Sequence, residues 1–262
     1  AVGESPSAMA LTTYLNRFAA EHEVFDGYLV HSRALAGLPL GPIGGPVDIA
    51  GAYRGEPEKL RTLQTPVFVV QTETDVLTNF RYHLARQPDT DRLRVWEIAG
   101  SSHADLAQIG PFEEMLGCPD PVNRGQQRFV LRAALAHLNA WVAQEAAPPV
   151  APPLQLRDAA HGEPSLVTDE VGNARGGVRT PCVDVPAQVL SGVVPDPVNR
   201  MCLLFGSTHP LPAEQLADRY GSRTGYLRAY AKAADQAIAD GFVLAADRQA
   251  LLDDAPAELV PG

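Results

Sequence analysis

The chain has 262 residues, 45% hydrophobic and 20% charged, an ordinary globular composition long enough to enclose a substantial core. Its formal net charge of −10 argues against nucleic acid or an anionic membrane as the main partner. No apolar run approaches the length of a transmembrane helix, so no membrane span is expected.

In chain order, Gly3-Glu4-Ser5-Pro6-Ser7 comes first, and the residues before Ser5 read as the end of a buried strand. Leu11, Tyr14, Leu15 and Phe18 recur at helical spacing and predict a helix over about 6–22. Pro6 then takes the first helical position, where its missing N–H has no intrahelical partner to lose. Phe25–His31 reads as a short buried strand. Residues 33–64 are rich in glycine and proline, with a short helical piece expected around Glu56–Leu63. A connection of that length is commonly functional, for instance a lid.

Val67–Val70 reads as a fully buried strand, and RLRVWEIAG at 92–100 as another, ending in the turn Gly100-Ser101-Ser102-His103. The pattern over 126–145 predicts a helix with Leu131, Ala134, Leu135, Leu138, Trp141 and Val142 on one face. AAPPVAPP at 146–153 marks a boundary between a core at 1–147 and a C-terminal region at 148–262. That region predicts a hairpin around Gly172-Asn173 and a helix after Pro210 with Leu227, Tyr230, Ala231, Ala234 and Ile238 on one stripe. Gly241 is its expected cap, and a last short helix follows near Asp247–Leu252. The order of elements implies an α/β fold: an open, mostly parallel sheet flanked by helices, followed by a hairpin-plus-helices region.

The three cysteines, Cys118, Cys182 and Cys202, have no CxxC spacing and join no Cys/His cluster, so a structural metal is not expected. The hexapeptide PDPVNR occurs at 119–124, directly after Cys118, and again at 195–200, just before Cys202. A Cys118–Cys202 disulfide is one reading of that arrangement. Two unrelated buried thiols is the other, and the one the sequence favours.

Three residues fall into a meaningful order. Ser5 lies between a strand end and a helix, Asp75 follows the strand that begins at Val67, and His103 follows the strand at 92–100. Serine, acid, histidine, each after a successive strand, is the chain order of a hydrolytic triad in an α/β fold. A serine hydroxyl is a weak nucleophile until an imidazole takes its proton, and a carboxylate fixes the imidazole's tautomer. Singly, each has a structural reading: Ser5 as a helix cap, Asp75 as a capping carboxylate, His103 as a turn residue. Together and in this order they favour chemistry. His31, Pro6 and Ser7 are candidate pocket residues, a buried histidine being the simpler reading of His31. Asp105 reads as a solvent-facing carboxylate near His103.

The segments GESPSAMALTTYLN, TPVFVVQTETDVL, RQPDTDRLRVWEIAGSSHAD, DEVGNARGGVRTPCVDVP and MCLLFGSTHPL resemble the α/β-hydrolase-domain family found widely in actinobacteria and proteobacteria. Its elbow is typically Gly-x-Ser-x-Ser-Ala. The resemblance implies a serine hydrolase acting on small carboxylic esters without metal or organic cofactor, with Ser5 as nucleophile and His103 as general base. The family phrase contains both Glu73 and Asp75; Asp75 fits the fold's spacing for the acid and Glu73 is the alternative.

Two departures from the family stand out. Pro6 occupies a position usually held by glutamine, whose amide would donate to the oxyanion. The chain also begins at the elbow, so the expectation is about half of the hydrolase sheet, with a truncated N-terminal half, a second polypeptide supplying it, or self-association. The competing functional reading is therefore a non-catalytic binding or assembly fragment. Compartment, cytoplasmic or secreted, stays open.

Overall fold

The computed structural model describes residues 1–159, 162–195 and 199–262. The second PDPVNR copy lies partly outside the described residues. Two compact units interleave along the chain: Ala1–Gln71, Asp75–Glu97 and Ala134–Ala151 in one, Thr72–Thr74, Ile98–Ala133 and Pro152–Gly262 in the other.

The first unit is built on a four-stranded sheet in the order β1 (Val2–Glu4), β2 (Tyr28–His31), β3 (Val67–Thr72), β4 (Leu93–Ile98). β1 pairs with β2, and β2 with β3, in parallel. β2 and β3 are buried along their whole length, which is why Val, Leu and Phe run uninterrupted there. β1 is an edge strand and alternates exposed, buried, exposed, where the sequence suggested the end of a buried strand. Helices α1 (Pro6–Arg17) and α2 (Ala19–His22) follow β1, and they divide the predicted 6–22 helix at Phe18, which caps α1. On β4, Trp96 stacks edge-on against Phe68 at 4.7 Å between ring centres. Its indole N–H donates to Pro149 O at 2.9 Å and so ties down the proline-rich stretch.

The connection at 33–64 differs from expectation. Its helix is α3 (Ile49–Arg54), started by the Asp48 side chain accepting from Gly51 N at 3.1 Å. Glu56–Leu63 is not helical. Its amides are taken by distant partners: Glu58 N donates to Leu35 O, Leu60 N to Gln87 Oε1 and Arg61 N to Asn16 Oδ1. Three tertiary hydrogen bonds hold it open where local propensity would coil it.

After β3 come α4 (Glu73–Val76), β4 and α5 (Leu106–Ile109), then α6 (Gln127–Gln144), close to the predicted helix. Along α6 the buried side chains are Phe129, Val130, Ala133, Ala134, Leu138 and Trp141, whereas Leu135 and Val142 face solvent.

The second unit adds short strands β5 (Leu156–Arg157) and β6 (Ser165–Leu166), paired antiparallel, and α7 (Pro181–Asp184). The predicted turn at Gly172-Asn173 is present: Asp169 Oδ1 accepts the amides of Val171, Gly172 and Asn173. A second antiparallel pair, β7 (Gln188–Ser191) and β8 (Ser207–Pro210), precedes α8 (Ala213–Tyr220), α9 (Arg223–Ala239) and α10 (Arg248–Asp253). On α9 the inward stripe is Tyr226, Tyr230, Ala234 and Ala237, while Leu227 is exposed. Tyr226 displaces Leu227 from the predicted stripe because its ring sits between Tyr220 and Tyr230, 5.0 and 5.6 Å away.

Cys118 and Cys202 are joined in a disulfide, with their Cα atoms 5.6 Å apart. The sequence had favoured two free thiols. Their partners are 84 residues apart and meet because Asn199 Nδ2 donates to Leu116 O and Asn123 N to Phe205 O, contacts that spacing does not encode. Cys182 is buried and free.

Candidate active site

In the first unit Ser5 joins β1 to α1 with φ 54° and ψ −121°. A serine with positive φ is strained and persists only where its surroundings enforce it. Here the Ser5 amide donates to His31 O at 3.0 Å, and Ser5 O accepts from Met9 N at 3.1 Å. The side chain makes no capping hydrogen bond to α1, so the helix-cap reading of this serine does not hold. Gly3 makes the sharp turn sterically feasible, because a Cβ there would lie 2.6 Å from Ser7 O and 2.8 Å from Ser7 C. Pro6 and Ser7 are exposed on the first turn of α1.

His31 is buried, its Nδ1 3.1 Å from Val70 O and 3.3 Å from Ser32 Oγ. It supports Ser5 through its own carbonyl. Asp75 is fully buried in α4. Its charge reaches Tyr53, whose hydroxyl is pushed up first by burial and then by this carboxylate.

The second unit holds Glu73 and His103. Glu73 is buried, and each carboxylate oxygen accepts one backbone amide: Oε1 from Gly100 at 2.5 Å and Oε2 from Gly192 at 2.8 Å. Burial pushes its carboxyl up to about 7, against the two amides and the charge of Arg179, which favour the ionised form. His103 is 6% exposed, and its backbone N–H donates to Thr74 Oγ1 at 3.1 Å. The neighbouring Ala104 amide donates to Leu204 O at 2.9 Å.

Asp105 is fully buried, not solvent-facing as expected. It starts α5 in a reciprocal capping arrangement with Gln108, whose amide donates to Asp105 Oδ1 at 3.2 Å while Gln108 Oε1 accepts from Asp105 N at 3.1 Å. Burial pushes this carboxyl up, against the Gln108 amide and the Gln127 side chain, which favour its ionised form. Gln127 Nε2 braces the same loop by donating to Ser102 O at 2.9 Å.

Ser5 and Asp75 thus belong to one unit, Glu73 and His103 to the other. Sequence reasoning missed the Glu73 and Thr74 contacts to residue 192. Gly192 lies 119 residues from Glu73, and no local pattern marks a glycine as the partner of a distant carboxylate.

In chain order, a strained serine follows β1, Glu73 and Asp75 follow β3, and His103 follows β4, in a sheet whose strands pair in parallel from β1 to β3. The alpha/beta hydrolase domain family matches residues 1–253, and the chain belongs to that family. Membership supports hydrolytic activity in general. No curated protein and no solved structure matches the chain.

Proposed function

We propose that the chain is a carboxylic ester hydrolase working through an acyl-enzyme, with Ser5 as nucleophile, His103 as general base and Asp75 as the carboxylate that orients the imidazole. The observation that carries this reading is Ser5 itself: φ 54°, no cap to its helix, and a glycine two residues before it that lets strand and helix close up. In this reading Ser5 Oγ attacks the acyl carbon while the imidazole takes its proton. The imidazolium then protonates the departing alcohol, and water, deprotonated by the same imidazole, releases the acid. Asp75 is preferred to Glu73 because both Glu73 oxygens are already engaged by the amides of Gly100 and Gly192. The substrate is a small ester, and this chemistry calls on neither metal nor organic cofactor.

Pro6 favours a second reading, a hydrolase-derived chain that binds without catalysing, because it offers no N–H to an oxyanion. Labelling the folded protein with a fluorophosphonate and mapping the adduct by peptide mass separates the two. The esterase reading expects phosphonylation at Ser5 that Ser5→Ala abolishes. A folded sample without the adduct sinks it.

A further inference from the structure

We infer that Glu73 and Thr74 are positioning residues that fix the turn carrying His103, each by bridging that turn to the loop at Gly192. The inference rests on the esterase reading for its catalytic consequence, though not for its geometry. Five hydrogen bonds converge on two adjacent residues. Glu73 N donates to Ser101 O at 3.3 Å, and the Glu73 carboxylate accepts from Gly100 N and Gly192 N. Thr74 Oγ1 accepts from His103 N at 3.1 Å and donates to Gly192 O at 2.6 Å.

Gly192 is thereby held through both its amide and its carbonyl, and the whole turn Gly100–His103 is held at three of its four residues. Only glycine fits at 192: a Cβ there would lie 2.7 Å from Glu73 Cβ and 2.8 Å from Thr74 N. Every participant is buried. Leaving a backbone amide unpaired in such a place is costly.

Both oxygens of the Glu73 carboxyl accept a backbone amide. The facing groups that bear on it are the two glycine amides and the Arg179 guanidinium, which itself pairs with Asp184 at 2.5 Å and Asp169 at 3.7 Å. Burying this carboxyl is costly, and the amides of Gly100 and Gly192 offset part of that cost. Holding the histidine-bearing turn in place gives that side chain a use, because misplacing a catalytic group by about 1 Å costs on the order of 100-fold in rate.

The test compares wild type with Glu73→Gln, Thr74→Val and Thr74→Ser, all checked for folding by circular dichroism. Two quantities are read: p-nitrophenyl acetate turnover, and amide hydrogen exchange over residues 99–106. Thr74→Val is isosteric and loses the hydroxyl; Thr74→Ser keeps it. The expected result is a kcat lower by about 10- to 100-fold in Glu73→Gln and Thr74→Val with KM unchanged. Exchange at 99–106 is faster in both, and Thr74→Ser restores both quantities. Folded variants with wild-type kcat and wild-type exchange overturn the inference. A wild type that labels at Ser5 while Thr74→Ser behaves like Thr74→Val overturns it as well. If wild type has no esterase activity, the function proposed above fails, and exchange alone decides: unchanged protection at 99–106 in Thr74→Val rejects the clamp, faster exchange upholds it.

Discussion

At the scale of single residues, Pro6 and Glu73 give the sharpest expectations. Pro6 suits the first helical position sterically and withholds a donor chemically. Loss of one oxyanion donor typically costs about 100- to 1000-fold in turnover. Pro6→Gln should therefore raise ester turnover by a sizeable part of that factor, read as kcat on p-nitrophenyl esters. An unchanged rate would mean that position 6 does not face the oxyanion. Glu73 also makes a prediction about stability. Its carboxyl is raised from 4.5 to about 7 in the folded protein, mainly by burial. The fold therefore favours the protonated form. The stability this contributes is complete below about pH 4.5 and is lost as pH rises through about 7, on the order of 3 kcal/mol. Glu73→Gln stays neutral, so its melting temperature should fall less than that of wild type between those two pH values. Parallel curves would show that Glu73 does not titrate in that window. The strands before Asp75 and His103 were legible in the sequence because each announces itself by its apolar run, whereas β1 before Ser5, only three residues long, has none. The bracing role of Glu73 was not legible, since a buried carboxylate beside the candidate acid has the same local context whether it orients a histidine or accepts two amides.

At the scale of elements, local pattern and tertiary hydrogen bonding compete, and the connection at 33–64 shows which wins. The sequence places a helix at 56–63; the structure has one at Ile49–Arg54, and the later stretch is held open by Leu35, Gln87 and Asn16. Strands β2 and β3 were readable because burial on both faces leaves a continuous apolar run, whereas a stretch held by side chains 27 to 45 residues away leaves none. One buried cation anchors this connection. The Arg33 guanidinium donates to Ala34 O at 3.1 Å, Leu35 O at 3.2 Å and Glu58 O at 2.5 Å, and lies 5.5 Å from the centre of the Tyr82 ring. Its backbone is clamped by Gln71, which accepts from Arg33 N and donates to Arg33 O. Arg33→Met keeps the apolar stem and strands those carbonyls, at a cost of more than about 2 kcal/mol. Limited proteolysis should then cut within 36–64 of the variant under conditions that leave wild type intact. Equal resistance would mean that Glu58, through Gly37 N and Asn16 Nδ2, holds the connection by itself.

At the scale of the whole molecule, the Cys118–Cys202 disulfide is the one covalent constraint among the described residues, and it closes a stretch of chain that runs through both compact units. A cross-link acts chiefly on the unfolded ensemble by removing its loop-closure entropy. For a separation of 84 residues the chain-entropy view gives about 4–5 kcal/mol. The closed stretch contributes α6 residues to each unit, so the restriction on the unfolded chain bears on both. Cys182 supplies an internal control. Its thiol is buried, donates to or accepts from Thr180 Oγ1 at 3.1 Å, and burial pushes it up to about 12, so it is neither nucleophilic nor accessible in the native state. Alkylation of the native protein should accordingly modify none of the three cysteines. Reduction should open Cys118 and Cys202 to modification and lower the melting temperature by on the order of 10 °C, with Cys118→Ser/Cys202→Ser melting at the reduced value in either buffer. Native alkylation at Cys118 or Cys202 without reductant would show that the bond does not form. A reduced protein melting with the oxidised one would show instead that the reduced, unfolded chain keeps residue 118 near residue 202, so that the bond removes little entropy.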